Sequence, residues 1–272
     1  MSAREGFRDL ARGSALLMLA LLSSMPGTAQ AATRPPELHY RMTDYAFEVP
    51  DPKDDDHPAG GHHRVQWSYP VFADARDPAT RKFNAWLRGQ ALDRLLPAGP
   101  LRKAANGLTD REVMKRAATD PDFIDSELQE AVVNLHAAAG RYRSLWSMSS
   151  YPKAGSVYAG SDSAQLLYDM RAGRPRGLSR LFVDSADDAP FEALFQAARE
   201  ADGMGCDIAR HFDWSVAYLD NANRIGLLYP YDRSEDPRCS DVTLDDPKVA
   251  GLLKHPGQLE PDYKLVDDGA TR

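Results

Sequence analysis

The amino-acid sequence predicts an α+β fold, an antiparallel sheet built from hairpins with helices packed on one face. Three observations lead to it. Val65, Trp67, Tyr69 and Val71 alternate with Gln66, Ser68 and Pro70, the period of a half-buried strand. Two pairs of strand-like segments are joined by short turns, at Ala139-Gly140-Arg141 and at Asp220-Asn221-Ala222-Asn223, which pairs neighbours antiparallel. Helical patterns are inserted between hairpins instead of following every strand, unlike the repeated units of a doubly wound sheet.

The elements follow in order. A first strand is expected over 38–49, with Tyr40, Met42 and Tyr45-Ala46-Phe47. The stretch 50–63 holds Asp, Pro, Gly and His and almost nothing apolar, so it is expected to be a mobile loop. A second strand covers 64–72, where Pro70 suits an edge or a bulge because it has no N–H for a ladder. Asp77-Pro78 then starts a helix to about residue 96. Phe83, Trp86, Leu87, Leu92 and Leu95 recur near helical spacing, and Pro97 and Gly99-Pro100 end it. The charged segment 101–122 contains a short helix from Thr109, its N-cap, to Ala118. Strands are expected over 127–138, 142–151 and 165–170, the last turned by Arg171-Ala172-Gly173. An amphipathic helix over 190–201 carries Phe191, Leu194 and Phe195. Strands over 214–219 and 225–229, a last helix over 247–254 and a frayed tail over 269–272 complete the chain.

The amino terminus carries an address. Arg4, Arg8 and Arg12 form a basic start, the run from Leu16 to Leu22 is apolar, Pro26-Gly27 breaks it, and Ala29-Gln30-Ala31 offers small residues for cleavage. That order is the pattern of a secretory signal peptide over 1–31, with an apolar run too short to span a bilayer. The expectation is a mature protein starting near Ala32, in the periplasm or secreted, without a membrane anchor. About 240 residues then form one unit over 32–272, with two subdomains, about 38–160 and 161–256, as the alternative division.

The formal net charge is −7, which argues against nucleic acid or an anionic membrane as partner, since both recruit basic surfaces. Two cysteines, Cys206 and Cys239, in an oxidising compartment are read as one structural disulfide, worth about 3–4 kcal/mol by loop closure. The segment Asp54-Asp55-Asp56-His57 with His62 and His63 is the nearest approach to a metal site, but it lacks the fixed helical spacing that preorganises ligands. No bound metal or cofactor is therefore expected. Ser161-Asp162-Ser163 lacks the nucleophile-elbow pattern, and the paired carboxylates Asp187-Asp188 and Asp245-Asp246 sit in turn and helix-start contexts. With no HExxH, P-loop or dinucleotide fingerprint, no catalytic residue is assigned and a non-enzymatic role is expected.

Several segments carry a resemblance. They are Tyr69-Pro70-Val71, Phe83-Asn84, Tyr168-Asp169-Met170 followed by Arg171-Ala172-Gly173-Arg174, and Leu178-Ser179-Arg180-Leu181-Phe182. To these add Ile225-Gly226-Leu227-Leu228-Tyr229-Pro230-Tyr231-Asp232 and Val242-Thr243-Leu244. Across 38–255 this order resembles the paired domains of unknown function in the ectodomain of RsiV-type anti-sigma factors and beside PdaC-type peptidoglycan deacetylases. The family marks are D-x-x-x-G-x-x-x-x-L-x-x-L-F and F-x-P-Y-E. Asp232 stands in place of the glutamate, and the family's glycine–histidine segment after the central hairpin reads here as Lys153-Ala154-Gly155-Ser156-Val157-Tyr158.

The resemblance implies a free-standing version of the domain, without a sigma-binding segment or a deacetylase domain. In RsiV-type proteins the module recognises lysozyme, so the implied function is an inhibitor or immunity factor against a peptidoglycan-cleaving enzyme. A basic hydrolase would suit an acidic binder. Tyr151, Lys153, Tyr158, Tyr229 and Tyr231 are the expected binding anchors, because aromatics give large contact area at low entropic cost. The alternative is a peptidoglycan- or carbohydrate-binding module whose aromatics stack on sugars. A weaker third reading is a hydrolase using the carboxylates.

Overall fold

Cross-strand pairing begins where the apolar alternation begins and runs past its end. In the computed structural model, which describes residues 34–51, 61–151, 160–183, 217–220, 224–227, 242–244 and 252–269, β1 spans Glu37–Asp51 and β2 spans Gly61–Phe72. All of these but Arg34 belong to one compact unit, Pro35–Arg272. The two strands pair antiparallel along their whole length, from Tyr40↔Phe72 to Asp51↔Gly61. This narrows the loop expected over 50–63, because Pro50 pairs with His62 and Val49 with His63. Backbone hydrogen bonds extend the ladder without needing apolar side chains.

Helix α1, Pro78–Leu95, starts as its sequence directs. The Asp77 carboxylate accepts from Ala79 N at 3.3 Å and Thr80 N at 2.8 Å, and Pro78 occupies the first turn. Its buried residues Phe83, Leu87, Ala91 and Leu95 repeat every four positions and form one stripe. That stripe packs on the sheet in a core with Val65, Trp67, Ala131, Val133, Leu145 and Tyr168. Trp67 is fully buried and donates Nε1–H to the Ala91 carbonyl at 3.2 Å, so its polar atom is satisfied. Asn84 accepts from Phe72 N and donates to Phe72 O, each at 3.0 Å, closing the end of β2 onto the helix. The Phe83-Asn84 pair therefore has a structural role in both members.

Three short helices complete the crossover: α2 Pro100–Ala105, α3 Asp110–Ala117 and α4 Pro121–Ile124. Thr109 caps α3 in a reciprocal capping box with Glu112. Crossing by way of these helices returns the chain so that β3, Glu130–Ala139, runs parallel to β2. Strands β4 (Tyr142–Tyr151), β5 (Gly160–Asp169) and β6 (Arg174–Arg176) then continue antiparallel, each beside the last. Short strands β7 (Ala217–Asp220), β8 (Arg224–Leu227) and β9 (Val242–Leu244) make a separate antiparallel sheet, with the expected β7–β8 hairpin.

The last strand, β10 (Lys264–Asp267), pairs parallel with β1 at the far edge, giving the order β10-β1-β2-β3-β4-β5-β6. The fold is α+β with helices packed on the sheet, as expected, but the seven-stranded sheet is mixed where the sequence suggested a purely antiparallel one. Its two parallel pairings join segments far apart in sequence, so no turn announces them. Where the expected helix over 247–254 falls on described residues, Leu253 bridges Phe182 and Lys254 N donates to the Leu181 carbonyl, an extended contact. The helix expected over 190–201 lies outside the described residues.

Candidate functional site

Of the expected anchors, Tyr151 is described. It ends β4 opposite Gly160, half-buried against the core. Lys153, Tyr158, Tyr229 and Tyr231 lie outside the described residues, as do Cys206, Cys239 and His57. His62 and His63 are consecutive strand residues and so point to opposite faces. His62 is exposed, while His63 Nε2 lies 3.2 Å from the Leu128 carbonyl. They do not converge on one ion, and among the described residues no group of three His, Cys, Asp or Glu side chains could hold one. In Ser161-Asp162-Ser163, the Asp162 carboxylate pairs with Arg94 of α1 at 2.9 Å. Among the described residues, no helix is long and apolar enough to cross a membrane.

Two cavities bring chemistry together. The larger, about 520 Å³, opens at the β10–β1 edge and is lined by Glu37, His39, Asp74, Arg143, Met170 and Asp268 among others. Parallel pairing sets Lys264 opposite Glu37, where Nζ lies 3.2 Å from Oε1, and brings Asp268 to His39, with Nδ1 2.9 Å from Oδ1. The Asp268 hydrogen bond holds the imidazolium of His39 above its ordinary pKa. Asp74 is exposed, whereas Arg143 is only 7% exposed. Arg143 NH1 donates to the carbonyls of Gly140 at 3.0 Å and Tyr142 at 2.8 Å, and its guanidinium lies 4.9 Å from the ring centre of Tyr263. Burial pushes its pKa down from a value high enough to leave it charged. The cavity thus has an acidic rim around a buried cation.

The smaller cavity, about 250 Å³, is basic: Arg141, Tyr142, Asp169, Arg176, Arg180, Leu181 and Lys254 line it. It is built by the D-x-x-x-G-x-x-x-x-L-x-x-L-F segment. Asp169 Oδ1 accepts from Ala172 N at 3.0 Å, and Gly173 turns the chain at φ 62°. Leu178, Leu181 and Phe182 are then buried in a short 3₁₀ turn. The spacers of this motif hold Arg171, Arg174, Arg176 and Arg180, four arginines in ten residues of an acidic chain. Sequence reasoning had that signal and passed over it. The fixed motif positions make the turn, and the spacers supply the charge.

No protein-family model matches the chain, and no curated protein matches it. Two solved structures are similar. A member of the DUF3298 family from Pseudomonas aeruginosa is 14% identical, aligned over 79% of this chain and 95% of its own, with a TM-score of 0.48. A member of the same family from Bacteroides fragilis is 12% identical, aligned over 84% of this chain and 99% of its own, with a TM-score of 0.52. At that identity the likeness is one of fold: this chain folds like the Bacteroides fragilis DUF3298 protein over nearly the whole of that protein's length.

Proposed function

We propose that this chain is an exported binding protein that captures a basic protein partner, in the first instance a lysozyme-like peptidoglycan-cleaving enzyme, and restrains it. The observation that carries the reading is the acidic rim at the β10–β1 edge, where Glu37 and Asp268, paired with Lys264 and His39, stand beside the exposed Asp74. An acidic rim steers a basic partner towards this face. The net charge of −7 and the motif resemblance to RsiV-type ectodomains support the same reading.

The test is inhibition of muralytic activity by the purified mature protein, first with lysozyme and then with other basic cell-wall hydrolases. Stoichiometric inhibition, with a complex that survives gel filtration, is the expected result. Retention of the protein on purified sacculi, with no hydrolase bound or inhibited at micromolar concentration, overturns it in favour of glycan binding.

A further inference from the structure

We infer that the basic cavity is a binding site for a phosphate group, separate from the acidic edge. Three guanidinium groups, those of Arg141, Arg176 and Arg180, line it with a single carboxylate, Asp169. Asp169 is 2% exposed, and its Oδ2 lies 3.5 Å from Arg141 Nε and 3.9 Å from Arg176 Nε. Both distances exceed the roughly 2.7–2.9 Å of a charge-assisted hydrogen bond. One carboxylate thus meets three guanidinium groups, and it can neutralise one positive charge.

The donor inventory supports this. Arg141 NH2 donates to the Tyr142 hydroxyl at 2.6 Å, a neutral acceptor, and the buried Arg141 Nε has no hydrogen-bond partner. Arg176 is held by its long contact to Asp169, and Arg180 sits exposed on the 3₁₀ turn with its guanidinium unpaired among the described residues. Lys254 adds a further cation to the same wall.

Guanidinium groups thus face one small space from the β3–β4 turn, from β6 and from the 3₁₀ turn. A carboxylate ligand offers one charge and two oxygens in a plane. A phosphate monoester offers up to two charges and three oxygens in different directions, matching both the excess charge and the three-sided arrangement. The volume admits a phosphate and its ester carbon, with no room for a folded segment of a partner. The phosphate could be free or carried on a lipid headgroup.

Titration with inorganic phosphate at constant ionic strength tests the site, read as ³¹P line broadening and as thermal stabilisation. Saturable binding at millimolar phosphate, with acetate far weaker, is the expected result. Arg180→Gln removes an exposed group whose guanidinium holds no hydrogen bond or ion pair among the described residues, so its unliganded melting temperature should match that of the unmodified protein. Its phosphate affinity should fall about tenfold, and Arg176→Gln should do the same. Arg111→Gln, an exposed arginine on α3, should leave binding unchanged. Co-sedimentation with phosphatidic-acid vesicles, lost in Arg180→Gln, would identify a lipid headgroup; phosphate binding without co-sedimentation would identify a soluble phosphate. Absence of saturable phosphate binding, or equal binding by Arg180→Gln, overturns the proposal and leaves the acidic-edge reading untouched.

Discussion

Asp110 shows how one side chain ties three elements together. Its Oδ2 accepts from the hydroxyls of Tyr45 at 3.0 Å and Tyr69 at 2.6 Å, and its Oδ1 accepts from Arg88 Nε at 2.7 Å. The β1–β2 hairpin, α1 and the first turn of α3 thus meet at one largely buried carboxylate. Removing it leaves Arg88 with the Ala105 and Leu108 carbonyls but no counter-charge, so Asp110→Ala should cost about 3 kcal/mol in chemical denaturation, whereas an exposed neighbour such as Arg111→Ala should cost less than about 0.5 kcal/mol. The same site sets an alkaline limit. Burial first, then the Asp110 charge and hydrogen bond, push Tyr45 up to about 12, and burial followed by its Asp110 hydrogen bond pushes Tyr69 higher still. In the unfolded chain tyrosine ionises near pH ~10. The stabilisation is therefore complete below about pH 10 and is lost as pH rises through about 12, because the unfolded state releases its protons first. Ultraviolet titration of tyrosinate beside denaturation melts would check this. In Asp110→Asn, Tyr45 should titrate at lower pH but stay above its ordinary value, since burial remains.

At the scale of elements, the turns separate sites that need glycine from sites that tolerate it. Gly140, between β3 and β4, has φ 50°, and a Cβ there would collide with the backbone carbonyl of Gln258 and come within 2.9 Å of that of Glu260. Neither neighbour is a flexible side-chain end. Gly140→Ala should therefore cost about 3 kcal/mol, from backbone strain and collision together. Gly89, inside α1, has open space where a Cβ would stand, so Gly89→Ala should gain about 0.5–1 kcal/mol from the helical backbone alone. Opposite signs in denaturant melts are the check. The element scale also shows why the D-x-x-x-G-x-x-x-x-L-x-x-L-F segment was legible as structure and its arginines were not legible as a site. Asp169, Gly173, Leu178, Leu181 and Phe182 act on neighbours a few residues away, a range that sequence spacing reports. Arg176 and Arg180 acquire a role through Arg141 and Lys254, which β-sheet pairing and the Phe182–Leu253 bridge bring to them.

For the whole molecule, the rims of these cavities differ in charge: Glu37, Asp74 and Asp268 line one, above the buried Arg143, and Arg141, Arg176 and Arg180 line the other. If the acidic edge captures a basic enzyme, association should be fast at low ionic strength and slow as salt is added, while dissociation changes little. Asp74→Lys reverses an exposed rim charge and should slow association roughly threefold at low salt, with stability unchanged within about 0.5 kcal/mol. Stopped-flow kinetics against lysozyme at two salt concentrations would read this. A larger effect on dissociation than on association would place Asp74 inside the contact instead of on its rim.

Local sequence pattern sufficed for the α+β class, the β3–β4 and β7–β8 hairpin partners, the capped starts of α1 and α3, and the apolar stripe Phe83-Leu87-Leu95. Each depends on residues within a turn or two of one another, where steric preference, capping and periodicity act. Tertiary structure alone decided that β3 runs parallel to β2, and that the short segment Lys264–Asp267 becomes an edge strand carrying Asp268 to His39. It also decided that arginines at 141 and 176 share one buried aspartate, in a cavity that Arg180 also lines. Those outcomes rest on pairings between distant segments, whose free energy comes from shared burial and long-range charge; the local pattern of residues does not contain it.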